Sequence, residues 1–262
     1  ILVQEDKKYD VFLSYDWGTA ATQYINHRRV RAINAKLSAL GLKTWFDEER
    51  TETSNMISRA HCVIIFITEQ YVSRINSANP VDDCFNDFNF ALQQVSTQKI
   101  IPVVMEASMK DEKRWEGRLA VELARNHVID FSDVISNIVP EMITNESINK
   151  VNFKVEREEF DQKCKEIVEL VFSGLVKPLK DLTFEQTILF FKSIGCIGIE
   201  NVFQEKKIVL YGKDLNTVET LEDLISLDLN LPRIKVRRIF QEILYCKENG
   251  VRMSNLLDGV IA

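Results

Sequence analysis

The chain has 262 residues, which exceeds the usual size of one domain and predicts two. Its hydrophobic content of 45% and charged content of 27% are typical of a globular protein. The formal charge of −6 argues against a nucleic-acid partner, whose phosphates require a basic surface, and no apolar run reaches the roughly 18–20 residues that cross a bilayer.

Alternating strands and helices are predicted over the first two thirds of the chain. The strands are Tyr9–Tyr15, Leu42–Phe46, Cys62–Thr68, Ile100–Met105 and His127–Phe131. The helices are Ala20–Leu40, Cys84–Val95 and Glu156–Leu175. Central strands such as CVIIFIT are apolar on both faces, which predicts a parallel sheet covered by helices on each side. Ligands of such sheets bind at the carboxyl ends of the strands, so the residues that follow each strand are candidates for the site.

The last third of the chain has a different pattern. Pro178 ends the preceding helix, and Thr183 is a predicted N-cap because Gln186 follows it by three residues. From Phe184 onward the apolar spacing is that of short helices, and no strand pattern remains. We therefore predict one domain at residues 1–176, a short connector at 177–182 and a helical bundle at 183–262.

Four consecutive motifs give the first domain a family resemblance. They are YDVFLSYDWG at the first strand, the run Asn26–Arg50 through the first helix and second strand, DDCFNDFNFAL at Asp82–Leu92, and IIPVV. In this order they resemble the Toll/interleukin-1 receptor (TIR) family over about Lys8–Leu175, which implies a flavodoxin-like α/β fold. A receiver domain has the same alternation, but its third strand must end in a phospho-accepting Asp, and here it ends Phe66-Ile67-Thr68.

The TIR resemblance implies one of two activities. Some TIR domains are adaptors that recruit other TIR domains, and others cleave the bond between nicotinamide and ribose in NAD+, which is then a substrate and not a cofactor. In the cleaving members a Glu stands three residues after the Cys of a C-x-x-E motif. That position is Asp87 here, one methylene shorter, and a displacement of about 1 Å can cost on the order of 100-fold in rate.

Other candidate residues surround this position in the family. Asp47 matches an Asp at the end of the second strand, and Glu48 is adjacent. Trp17 is suited to stack on a nicotinamide or adenine ring, although a loop tryptophan packed on its own domain is an alternative. The alternative for Asp87 is a solvated surface carboxylate, and the alternative for Cys84 is a small buried apolar side chain.

The predicted substrate-binding residues are Tyr15, Asp16, Trp17, Asp47, Glu48 and Cys84. The segment after Arg50 is shorter than the family's gating loop, whose residues therefore have no match.

The second domain resembles a sterile alpha motif (SAM), an all-α five-helix bundle, through FFKSIG, VFQEKKI, TLEDLISLDL and IKVRRIFQEIL. Its charges are segregated into an acidic middle and a basic start of the last helix. SAM domains often join head to tail through two such surfaces, making rings or filaments. Two solvated faces without a partner are the alternative. The predicted oligomerisation residues are Asp214, Glu222, Asp223, Arg233, Lys235 and Arg238.

The two resemblances together give a functional hypothesis. A SAM polymer would concentrate TIR domains, so we expect an NAD+-cleaving signalling effector of innate immunity or cell death that is activated by self-assembly. A non-enzymatic adaptor or scaffold that binds other TIR or SAM proteins is the competing hypothesis, and lipid or RNA binding through the second domain is a weaker one.

The cysteines and histidines are scattered along the sequence. The five cysteines form no C-x-x-C pair, so buried free thiols in a reducing compartment explain them better than disulfides or a zinc site. We expect no metal centre. The start of the sequence has too short an apolar run for a secretory leader, and we expect a cytoplasmic protein.

Overall fold

The computed structural model describes residues 8–19, 25–46, 56–123, 125–138 and 150–256, with the side chains of 136–138, 150–156 and 233 outside the description. The chain divides into two compact units, an N-terminal unit of residues 1–171 and a C-terminal unit of residues 172–262. Each is described separately below.

A five-stranded parallel sheet forms the centre of the N-terminal unit. Its strands are β1 Tyr9–Ser14, β2 Thr44–Trp45, β3 Ala60–Ile67, β4 Ile100–Val104 and β5 Ile129–Asp130. Their order across the sheet is β2-β1-β3-β4-β5, and all four neighbouring pairs are parallel. The predicted parallel α/β sheet is therefore confirmed. Seven of the eight residues of β3 are buried, as expected for a strand covered on both faces.

Helices cover both faces of this sheet. They are α1 Ile25–Ala39, α2 Glu69–Asn76, α3 Asp83–Gln94, α4 Gly117–Leu123, α5 Ser132–Ile138 and α6 Lys150–Val171. In this strand order, β2 lies on one side of β1, whereas β4 lies on the opposite side of β3, so the two connections run in opposite directions across the sheet. Right-handed crossovers therefore place α1 on one face and α2 and α3 on the opposite face. In agreement, α1 packs against α6, while α2 packs against α3 and α4.

Two side-chain caps set the start of α2 and α3. The Thr68 hydroxyl accepts a hydrogen bond from Tyr71 N (3.0 Å), and the Asp82 carboxylate accepts one from Phe85 N (3.1 Å). Arg74 Nε also donates to Asp82, at 2.7 Å, so the end of α2 is tied to the start of α3. The caps and this ion pair fix the direction in which the first turns of α3 face.

The C-terminal unit is mainly helical. Within its described residues the α-helices are α7 Phe184–Ser193, α8 Ile199–Lys206, α9 Gly212–Asn216, α10 Leu221–Ser226 and α11 Arg233–Asn249. The predicted capping box of α7 is confirmed, because the Thr183 hydroxyl and the Gln186 side chain each bond the other residue's backbone N–H. A second box joins Thr220 and Asp223 at the start of α10.

Several predicted elements were wrong or missing. The helix predicted at Glu156–Leu175 runs instead from Lys150 to Val171, and a turn with Gly174 at φ +73° follows it. The C-terminal region does contain strands: β6 Val176–Lys177 pairs antiparallel with β7 Val251–Arg252. Two-residue strands are too short to produce a pattern, and this pair joins segments far apart in the chain.

The residues predicted as a connector belong to the helical core. Leu179, in a 3-10 turn at Leu179–Asp181, and Leu182 are both buried among the apolar side chains of the C-terminal unit. Gly212, at the start of α9, touches this segment: its N–H donates to Leu182 O at 3.1 Å. A Cβ at position 212 would lie 1.9 Å from Leu179 O. The segment and α9 are therefore packed backbone to backbone.

Gly212→Ala is expected to lower the free energy of unfolding of the C-terminal unit by about 2 kcal/mol or more, because the backbones must separate to admit the methyl group. All three tryptophans, Trp17, Trp45 and Trp115, lie in the N-terminal unit. In urea denaturation the part of the far-UV circular dichroism change that comes from the C-terminal unit should move to lower urea, while the transition followed by tryptophan fluorescence stays. Lys213→Ala, at an exposed neighbouring position, is the control, and equal stability of the two variants would contradict the packing.

Candidate functional site at the carboxyl ends of the strands

The topological switch point of the sheet lies between β1 and β3, where the two crossover directions diverge. Asp16 follows β1 and Thr68 follows β3, and the Thr68 hydroxyl donates a short hydrogen bond to the Asp16 carboxylate. Asn26, from α1, donates through Nδ2 to Asp16 O (2.7 Å) and to Asp16 Oδ2 (3.1 Å). Gly18 N donates to Asp16 Oδ1 at 2.9 Å. Asp16 is only 1% exposed, so it fixes the loop after β1.

The predicted carboxylate, Asp87, lies beside this loop. It is in the second turn of α3, is 7% exposed, and accepts a hydrogen bond from Ser14 Oγ at 3.5 Å. Ser14 is the last residue of β1, so α3 presents Asp87 to the carboxyl end of the sheet. Ser14 Oγ also lies 2.8 Å from the Tyr71 hydroxyl. Tyr71, Ser14 and Asp87 thus form a buried relay in which each hydroxyl can donate toward the carboxylate.

The environment keeps the Tyr71 hydroxyl protonated. Burial raises the pKa of Tyr71 well above its ordinary value, and the nearby groups of Cys84, Asp87 and Asp16 add to the rise, against a smaller opposing effect of the Ser14 hydrogen bond. A neutral tyrosine keeps its proton to donate to Ser14, which leaves the Ser14 proton for Asp87. The relay therefore holds one Asp87 oxygen in a fixed direction.

An aromatic cluster covers the ends of β1 and β2. It consists of Tyr15, Trp17, His27 and Phe46. Trp17 lies 4.4 Å from His27 between ring centroids and is parallel to Tyr15 at 6.5 Å. His27 lies 5.4 Å from Phe46, and its Nδ1 is 3.0 Å from the Tyr15 hydroxyl. Trp17 therefore packs on its own domain and is half-buried there.

The remaining predicted substrate-binding residues are placed differently. Cys84 is 1% exposed, and its thiol donates to Tyr15 O at 3.6 Å, so it packs beneath the loop that holds Asp16. Burial is the main cause that raises the pKa of Cys84, which makes the thiol a poor nucleophile. Asp47 and Glu48 belong to residues 47–55, which lie outside the described part of the chain.

A second carboxylate, Glu106, follows β4. Its Oε2 accepts a hydrogen bond from Glu69 N at the start of α2, at 2.8 Å. Burial raises the pKa of Glu106, and the charges of Asp16 and Glu69 add to the rise. The hydrogen bond from Glu69 N and the charge of Arg29 on α1 oppose it. Glu106 and Arg29 were not predicted as site residues, because nothing in their local sequence marks them. Only the strand order brings Glu106 near Asp16 and Arg29.

The predicted oligomerisation residues lie on the surface of the C-terminal unit. Asp214 accepts from Tyr211 N (2.8 Å), while Asp223 accepts from Thr220 N (2.8 Å) and Glu219 N (2.9 Å), so both cap helices. These backbone hydrogen bonds hold the pKa of Asp223 below its ordinary value. Glu222 is exposed on α10.

The basic members lie at the start of α11. Lys235 and Arg238 are exposed there, and Lys235 Nζ donates to Gly195 O at 3.4 Å. Arg233 is the first residue of this helix, and its side chain is outside the description.

A comparison with known families decides what the N-terminal sheet is. The family model described as the TIR domain matches residues 11–139. Residues 11–139 form a TIR domain. The match begins within β1, includes α3 and the whole polar site, and ends before the C-terminal unit. No curated protein matched the chain.

Across the described part of the chain, no group of three or more His, Cys, Asp or Glu side chains is placed to hold a metal ion. No described helix combines the length and apolar character needed to cross a membrane.

The prediction of buried free thiols is confirmed, because Cys62, Cys84, Cys164, Cys196 and Cys246 are all free and buried. Burial raises the pKa of Cys62 to about 12 and that of Cys246 to about 11. Below the ordinary thiol pKa the cysteines are protonated in both the folded and the unfolded chain, so the raised pKa values do not lower the free energy of unfolding. As the pH rises from the ordinary value through the folded-state values, the unfolded chain loses these protons first, and the free energy of unfolding falls.

Native protein at pH 8 should therefore react slowly with Ellman's reagent at every cysteine, since the thiolate fraction at a pKa of about 12 is roughly one part in ten thousand. The same protein in guanidinium should react quickly at all five thiols. A thiol that reacts in the native protein as fast as free cysteine would contradict the burial described here.

Proposed function

We propose that the chain is a self-assembling signalling effector whose TIR domain cleaves NAD+ at the nicotinamide–ribose bond. A TIR domain implies signalling or NAD cleavage in general, and TIR domains commonly associate with themselves or with other TIR proteins. The observation that carries the cleavage is the placement of Asp87, a buried carboxylate that Ser14 holds at the carboxyl end of β1, next to the switch point.

The reaction requires little acid catalysis, because the nicotinamide of NAD+ is already a cationic leaving group. The bond between ribose C1′ and the ring nitrogen breaks, its electron pair leaves with neutral nicotinamide, and the ribose becomes oxocarbenium-like. Asp87 would stabilise this positive charge, and its relay to Ser14 and Tyr71 keeps the carboxylate from reorienting as the charge develops. Water then adds to C1′ and releases a proton, which gives ADP-ribose.

The aromatic cluster supports the same function. The half-buried rings of Trp17 and Phe46, which stack on the buried ring of Tyr15, form an apolar surface next to Asp16, suited to a planar base. Asp16 itself is engaged by three donors and 1% exposed, so we assign it to holding the loop instead of contacting substrate. Asp47 and Glu48 stay predictions from the resemblance.

Asp87→Asn is expected to lower nicotinamide release from NAD+ at least about 100-fold, because it removes the negative charge while keeping the shape of the side chain. Asp83→Asn makes the same change at an exposed position one turn earlier and should release nicotinamide like the unchanged protein. The measurement is free nicotinamide by liquid chromatography at high protein concentration.

The non-enzymatic scaffold is favoured by one observation, since the contact of Asp87 with Ser14 also serves to fasten α3 to β1. If confirmed oligomers release no nicotinamide, and Asp87→Glu does not change this, the enzyme hypothesis is wrong. If activity appears only in Asp87→Glu, the shorter side chain has degraded an ancestral active site.

We further propose that the C-terminal unit is a SAM domain that assembles head to tail. Ile197 and Ile234 are 93% and 83% exposed and lie near the basic residues at the start of α11. Ile225, one turn after Glu222 on the acidic α10, is 52% exposed. An apolar centre with opposite charges around it on two different surfaces fits a heterologous contact, which leads to rings or filaments.

A double charge reversal, Lys235→Glu with Arg238→Glu, should keep the protein monomeric at concentrations where the unchanged chain forms larger species, because both surfaces would then be acidic. Size-exclusion chromatography with light scattering measures this. Lys180→Glu with Lys207→Glu changes the charge equally at two other exposed positions and should assemble normally. Assembly of both variants alike would contradict the proposed contact.

A further inference from the structure

Two buried polar atoms on α1 have no hydrogen-bond partner within the described residues. They are Asn26 Oδ1 and Arg29 Nε. Asn26 is 5% exposed, and because its Nδ2 donates to Asp16 the direction of its Oδ1 is fixed. Nearly all buried polar atoms of native proteins have a partner, so an acceptor and a donor left over three residues apart require an explanation.

Both atoms belong to the side of α1 that faces the switch point. Residues three apart on a helix share a face. Asn26 contacts Asp16, directly after β1, and Arg29 interacts electrostatically with Glu106, directly after β4. This face of α1 is therefore directed at the carboxyl edge of the sheet, across the sheet from α3 and Asp87.

Arg29 forms no ion pair with a carboxylate in the described part of the chain. Burial lowers the pKa of Arg29, and the charge of Glu106 only partly offsets this effect. A half-buried guanidinium with no carboxylate partner among these residues costs stability, which proteins accept at binding sites.

The donor Arg29 Nε and the acceptor Asn26 Oδ1 suit a ligand that carries both an anionic oxygen and a hydroxyl group. A guanidinium N–H donates to phosphate oxygens, and an amide oxygen accepts from a hydroxyl. A ribose joined to a diphosphate offers both groups a few bonds apart.

We propose that Asn26 and Arg29 form a subsite for the ribose–diphosphate part of a dinucleotide, with Arg29 donating to a phosphate oxygen and Asn26 accepting from a ribose hydroxyl. The subsite rests on the proposed function, because it completes a site whose nicotinamide end is at Asp87. In this arrangement α1 binds the part of NAD+ that does not react.

Glu106 competes with such a ligand for Arg29. Its Oε2 accepts from Glu69 N at the start of α2, and its negative charge attracts the same guanidinium that a phosphate would bind. Replacing Glu106 by Gln keeps an oxygen for Glu69 N and removes that charge. Changes at Arg29 and at Glu106 should therefore act on binding in opposite directions.

The test is isothermal titration of the full chain with three probes, ADP-ribose, inorganic pyrophosphate and nicotinamide riboside. Arg29→Gln should weaken ADP-ribose and pyrophosphate at least tenfold, Glu106→Gln should tighten both, and neither should change the affinity for nicotinamide riboside. Arg28→Gln, at an exposed neighbouring position, is the matched control and should leave all three affinities unchanged. Arg29→Gln should also keep or raise the melting temperature, since a structural arginine would lower it.

Equal ADP-ribose affinity in the unchanged chain and in Arg29→Gln overturns the subsite, as does an unchanged chain that binds neither ADP-ribose nor pyrophosphate. A loss of affinity for all probes together with a lower melting temperature also overturns it. If nicotinamide is released and Arg29→Gln leaves KM for NAD+ unchanged, the subsite is wrong and the proposed cleavage stands. If ADP-ribose binding depends on Arg29 and no nicotinamide is released, the cleavage is wrong and the subsite stands.

Discussion

The buried carboxylate of Asp16 is the constraint on which the geometry of the site depends. A carboxylate removed from water is costly unless donors surround it, and here Thr68, Asn26 and Gly18 supply them. These donors come from the end of β3, from α1 and from the loop after β1, so satisfying one side chain fixes three segments at the switch point. Tyr15 and Trp17 flank Asp16, which places the aromatic cluster by the same constraint.

The charges around this point suit the proposed ligand. Asp87 lies on the α3 side of the sheet, and Arg29 lies on the α1 side. NAD+ carries a positive charge on nicotinamide and negative charges on its central diphosphate, so these two parts of the ligand would meet side chains of opposite charge, Asp87 and Arg29. The proposals for cleavage and for the α1 subsite thus describe one extended site in which orientation is set by electrostatics. Assembly through the C-terminal unit would add local concentration and no new chemistry.

Much of this arrangement could be predicted from the sequence, because some of its signals are local. The run CVIIFIT is apolar at every position but its last, which predicts a central buried strand. The TIR resemblance, through the C-x-x-E motif that begins at Cys84, implies Asp87 as the carboxylate near the strand ends. Thr183 and Gln186 predict their capping box for the same reason.

The rest depends on contacts between distant segments. Ser14 and Tyr71 are 57 residues apart, and nothing in either local sequence indicates that they share a hydrogen bond. Arg29 and Glu106 become neighbours only through the strand order. The β6–β7 pairing escaped prediction because two residues carry no periodicity, and the end of α6 was misplaced because apolar residues continue past the turn at Gly174.

The central claim is that the ligand site lies at the switch point, between the ends of β1 and β3. Backbone amide chemical shifts of the isotope-labelled chain, followed by NMR during titration with ADP-ribose, test it directly. The account predicts that the amides of Asp16, Gly18 and Thr68 and those of the first turns of α1 and α3 shift together with one affinity. Shifts confined to the C-terminal unit, or to the amino ends of the strands, would contradict it.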